Sequence, residues 1–185
     1  MVQRMEWGRQ AALVLLPVLA AGCAQDGAND YLLVRAYDLG KDYEWAAARS
    51  YAKRYLTEAP DSAAGHLLYA KGYLRVQEPN LAIAKGELET ALALFDQHPD
   101  LGALTGEWTP EVFLGLIHHE LATVHLRRIY TLSSNGIGGQ AIQFELEEAR
   151  KHVDLGLKAD PDSKSLQMMR ETLAELMGEG QPAPG

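Results

Sequence analysis

Residues Tyr43 to Asp61 read YEWAAARSYAKRYLTEAPD. Trp45, Ala48, Ala52 and Tyr55 recur at helical spacing, so one face of this segment is apolar or small. Pro60 ends it, because proline brings no amide to the helical ladder and its ring clashes with the preceding turn. Pro99-Asp100 and Pro161-Asp162 close two further helical runs in the same way. The run before Pro161 carries Ala149, Val153, Gly156 and Leu157 at the offsets that Ala48, Ala52, Tyr55 and Leu56 hold before Pro60. The chain therefore reads as an internal repeat of paired helices.

Working outward, nearly every segment has helical periodicity and none shows clean strand alternation. A first helix is expected over Tyr31–Leu39, broken at Gly40-Lys41-Asp42, and the second over Tyr43–Glu58. Asp61 or Ser62 can cap a helix over Ala63–Val76. Leu81, Ala84, Leu88, Ala91, Leu92 and Phe95 form the next stripe, ending at His98-Pro99-Asp100. After a loop over Leu101–Trp108, Thr109-Pro110-Glu111 supplies a cap, a proline at the first helical position and an acid at the positive end of the dipole. The helix this starts runs to about Leu132 and is apolar around much of its circumference, which marks it as central. Gly136, Gly138 and Gly139 interrupt the pattern before helices over Ala141–Ala159 and Ser163–Met177. The fold class expected is all-α with seven helices over residues 31–177 and a frayed tail over 178–185.

The repeated segments resemble the second helix of a tetratricopeptide (TPR) unit, a helix-turn-helix of about 34 residues. Leu68 and Gly72 fall where that family has its large and glycine positions, and Ala84, Leu88 and Ala91 follow at its offsets. Leu121-Ala122 is a candidate pair for a third unit, and Leu32 and Ala36 for the first. The resemblance implies antiparallel helix pairs stacked as a short solenoid, with the last helix as a cap. Another all-helical arrangement is the alternative.

At the N-terminus, Ala11 to Gly22 is an apolar run too short to span a bilayer. It follows Arg4 and Arg9 and ends in small residues, the order of a secretory signal. Leu19-Ala20-Ala21-Gly22-Cys23 resembles the lipobox of bacterial lipoproteins, with Ala20 where leucine is commoner. The resemblance implies a signal peptide over residues 1–22, acylation of Cys23 and a tether over residues 23–30. It also implies the cell envelope as address, and Ala24 in place of aspartate points to the periplasmic face of the outer membrane. A plain signal peptide or a buried hydrophobic helix is the alternative. The formal charge of −8 loses two cations and one anion with residues 1–22, which argues against nucleic acid as partner. Cys23 is the sole cysteine, so the fold has no disulfide to rely on.

No catalytic set stands out, and neither cofactor nor metal is expected. His118, His119, Glu120 and His125 sit on one helix, but His119-Glu120 lacks the second histidine of a His-Glu-x-x-His zinc motif. They read as the polar rim of a buried helix or as hydrogen-bonded core histidines, the alternative being a groove-facing binding or metal site. Glu145, Glu147 and Glu148 read as a solvated helix start. Gly136 to Gly139 has no phosphate-loop context and reads as a connector or a partner-contacting loop. In a TPR-like stack Tyr69 and Tyr73, with His118 and His125, are candidate groove residues; core packing is the other reading of the tyrosines. The function expected is a lipid-anchored adaptor holding an envelope protein or peptide. The alternative is an accessory part of a solute-uptake system, as some TPR-like lipoproteins are, with a small molecule bound. An enzyme is not expected.

Overall fold

The computed structural model describes residues 22–179, with side chains from Asp30 onward. The signal peptide expected over residues 1–22 and the tail from 180 lie outside the described residues, apart from Gly22. Seven α-helices and no strand occur among the described residues: α1 Gly22–Lys41, α2 Trp45–Glu58, α3 Ala63–Leu74, α4 Leu81–Gln97, α5 Pro110–Ser134, α6 Gln140–Ala159 and α7 Lys164–Leu176. No described helix is long and apolar enough to cross a membrane.

Local chemistry accounts for most boundaries. Ser62 accepts from the Gly65 amide, Asn80 from Ile83 and Thr109 from Val112, so α3, α4 and α5 each start on a side-chain cap. Two expected boundaries shift. α1 begins ahead of Tyr31 and takes in Ala24–Asn29, expected as a tether; once Leu32, Leu33 and Ala36 are buried, each residue added backward gains a ladder hydrogen bond. At its other end α1 runs through Gly40, and the chain turns at Tyr43, whose φ of 63° puts a bulky residue in left-handed backbone.

Each helix packs on the next along the chain, and α1, α3, α5 and α7 also touch in succession. The Leu101–Trp108 loop is more than a connector: Gly102–Leu104 forms a 3₁₀ turn, and Leu101, Leu104 and Trp108 are buried. Close approach depends on small residues. A Cβ on Gly72 of α3 would overlap the Arg49 Cβ of α2, and one on Gly156 of α6 would lie 2.8 Å from Leu166 Cδ1 and 3.2 Å from His118 Cβ.

α5 separates two cores. Phe113, Ile117, Leu121 and Val124 join the larger one, built with α1 to α4. Ala122, with Leu126 and Ile129 at its edge, joins a smaller one made with Leu146, Ala149, Val153, Leu166 and Leu173 of α6 and α7. His118, Ala122, His125 and Ile129 are spaced as one helical stripe, so the histidines occupy positions that apolar side chains would normally fill.

Candidate functional site

The stripe on α5 meets a matching one on α6. Glu145, Ala149 and Gly156 are buried there, and His152 is half-buried between them. Gly156 leaves the room in which the His118 side chain sits. His125 and Glu145 are 1% and 3% exposed, and the Glu145 Oε2 lies 2.6 Å from His125 Nδ1. An ionised carboxylate can only accept, so Nδ1 carries the hydrogen, and in the neutral ring Nε2 keeps a lone pair. That Nε2 is buried and has no hydrogen-bond partner. Arg128 Nε, 3.2 Å from Oε1, pairs the other oxygen of Glu145.

The ring of His152 stacks on His125 with centroids 5.7 Å apart, and its Nδ1 is 3.2 Å from His118 Nδ1. Burial pushes the His152 pKa down, and the neighbouring His118 and His125 push it further, to about 4. Burial also lowers that of His118. One donor atom from each of His125, Glu148 and His152 lies within 4.8 Å of the others. The reading of these acids as a solvated helix start is thus corrected for Glu145, which lies a turn inside α6 and is buried against α5, while Glu147 is exposed and Glu148 partly so.

A second buried carboxylate lies on the opposite side of α5. Glu120, 1% exposed, accepts from Arg75 Nη2 at 2.8 Å on both oxygens, and Lys71 Nζ stands 3.6 Å away. Burial alone would raise its pKa. The His119 ring, 3.8 Å away, and the Lys71 and Arg75 charges outweigh that and hold it down at about 2. Arg75 Nε lacks a partner, but this side chain is a third exposed.

Of the expected groove residues, His118 and His125 are buried between α5 and α6, so neither ring presents to an open groove. Tyr69 and Tyr73 are half-buried on the larger core, edge to face at 5.1 Å, with hydroxyls 3.1 Å apart and Arg49 over the Tyr73 ring. Burial and the hydrogen bond to Tyr73 raise the Tyr69 pKa to about 12. The backbone of Cys23 lies in the first turn of α1. A groove of about 510 Å³ lies between α4 and α5, lined by Leu81, Lys85 and Glu89 on one side and by Arg128, Thr131 and Leu132 on the other. No residue of Gly136–Gly139 lines it.

His152 and the α4–α5 groove were not singled out from the sequence. For His152 a signal existed: Glu145, Glu148 and His152 share the face of α6 that carries its apolar stripe.

No protein-family model matches the chain, and comparison with curated proteins and with solved structures gives no match.

Proposed function

We propose that the chain is an adaptor of the bacterial cell envelope: a TPR-like helical stack, held at a membrane surface by a lipid on Cys23, that binds a protein or peptide. The observation that carries this reading is the order of packing. Helices pair with their neighbours in the chain while α1, α3, α5 and α7 touch in succession, as stacking of helix pairs requires. The small positions of the repeat agree with it, since Ala48, Ala52, Ala84, Ala91, Ala149 and Gly156 are all buried. The α4–α5 groove, with apolar walls and both signs of charge at Lys85, Glu89 and Arg128, suits an amphipathic peptide segment. Because the Gly136–Gly139 loop does not close over it, the adaptor reading is favoured over enclosure of a small solute. Two or three acyl chains on one residue anchor stably, where a single chain binds reversibly.

The test has two arms. Cys23→Ala should move the protein from the membrane fraction to the soluble one, and unchanged partitioning would remove the anchor. A photo-crosslinker at Lys85 should join one envelope protein in cells, with the adduct lost in Leu81→Asp. Crosslinking that is diffuse or indifferent to Leu81→Asp would remove the groove.

A further inference from the structure

The geometry points to a divalent transition-metal site between α5 and α6, with His125, His152 and Glu148 as ligands. Three observations carry it. The first is the orphaned His125 Nε2: a buried ring nitrogen without a partner loses its hydration for nothing, and native structures leave few such atoms unexplained. The second is that the opposite nitrogen of this ring is bound to a buried carboxylate at 2.6 Å, the arrangement by which proteins orient a metal-bound histidine and raise its basicity. The third is convergence from two helices. Glu148 and His152, one turn apart on α6, bring their donor atoms within 4.8 Å of that of His125.

In a tetrahedral zinc site with bonds near 2.1 Å, donors stand roughly 3.4 Å apart, so the three must draw in slightly on binding. Glu148 can do this readily, since its side chain is 30% exposed and held only by Lys151 Nζ at 3.5 Å. His152 is braced as His125 is: when its Nδ1–H donates to His118 Nδ1, 3.2 Å away, its Nε2 is left to the metal. Two imidazoles and one carboxylate suit zinc, nickel or cobalt better than magnesium or calcium, which take oxygen ligands. Three protein ligands leave a fourth position for water or for a donor from a bound partner. The site does not rest on the adaptor reading, because none of its three ligands is Cys23 or lines the α4–α5 groove.

The test is calorimetric titration of zinc chloride into untagged, chelator-treated chain, with cobalt(II) absorption as a second readout. One zinc per chain is expected, with intense four-coordinate cobalt bands. His152→Ala and Glu148→Gln, both at partly exposed positions, should each weaken binding at least about tenfold with an unchanged helical spectrum. Glu145→Gln should weaken it by about 10- to 100-fold through the orientation of His125. His98→Ala, at an exposed histidine outside the cluster, should bind as the parent does. Absence of a one-to-one site for either metal overturns the inference, as does binding that survives both His152→Ala and Glu148→Gln.

Discussion

α5 buries a carboxylate on each side, and the two are treated differently. Toward α3, Glu120 meets a guanidinium and an ammonium within a large core rich in leucine and aromatic side chains. Toward α6, Glu145 meets a histidine and one exposed arginine within a small core, and the histidine is left with an unused nitrogen. In the first arrangement the buried carboxylate is matched on both oxygens within the chain, and the unpaired Nε belongs to a side chain that is a third exposed. In the second, the fully buried His125 Nε2 has no partner among the described residues. Buried ion clusters seldom exceed an apolar alternative in stability, but breaking one by removing a single partner is expensive. The two sides should therefore fail differently.

The largest effect is expected at Glu120. Glu120→Ala should lower stability by about 3–5 kcal/mol, because Arg75 and Lys71 lose the charge they surround. Glu145→Gln in metal-free protein keeps an acceptor for His125 and should lose only about 1–2 kcal/mol. Urea unfolding followed by circular dichroism measures both, and equal losses would erase the distinction.

Acid should separate the two sides along the pH axis. Glu120 titrates at about 2 when folded against 4.5 ordinarily, so its stabilisation is complete above pH 4.5 and is lost as pH falls toward 2. The shift corresponds to about 3 kcal/mol. His152, at about 4 when folded against 6.5, stays neutral where the unfolded chain takes up a proton, so stability falls as pH drops from 6.5 to 4. Metal-free protein should thus weaken in two steps, the upper one smaller because His152 is partly solvated. Glu120→Gln should remove the lower step and His152→Ala should shrink the upper, to which buried His118 also contributes, in melts taken at successive pH values.

Packing at the two glycines gives the next effect. Gly72→Ala meets the Arg49 backbone, with Cα at 3.0 Å, so α2 and α3 must separate and about 1–3 kcal/mol should be lost. Gly156→Ala meets the end of Leu166 and the His118 Cβ, so a loss of about 1 kcal/mol should come with weaker zinc binding. Loss of zinc binding in Gly72→Ala would show that the two sides are not separate. The smallest effect is a gain far from α5: Tyr43→Gly relieves left-handed backbone at an exposed turn and should raise stability by about 0.5 kcal/mol with or without zinc. Thermal melts with and without the metal check this.

Caps, prolines and spacing sufficed to place the helices, because those signals act within a few residues. Thr109-Pro110-Glu111 begins α5 as expected, and the Ala84–Leu88–Ala91–Phe95 stripe is the buried face of α4. The start of α1 was harder to read, since Ala24–Asn29 has little helical preference of its own and follows the buried segment after it. At the candidate site, the shared face of His118 and His125 was legible from their spacing two turns apart. What faces them was not.

Residue spacing thus carried the helical class, the number of helices and the crowding of small residues where helices approach, all consequences of a backbone period of 3.6 residues. It could not say that Glu145 is a core residue or that His152 lies against His125, because these lie 20 and 27 positions apart from His125 along the chain. Their meeting depends on how α5 and α6 rotate about their own axes when they pack. Packing of the two helices set that rotation, and with it turned a carboxylate expected in solvent into the partner of a buried histidine.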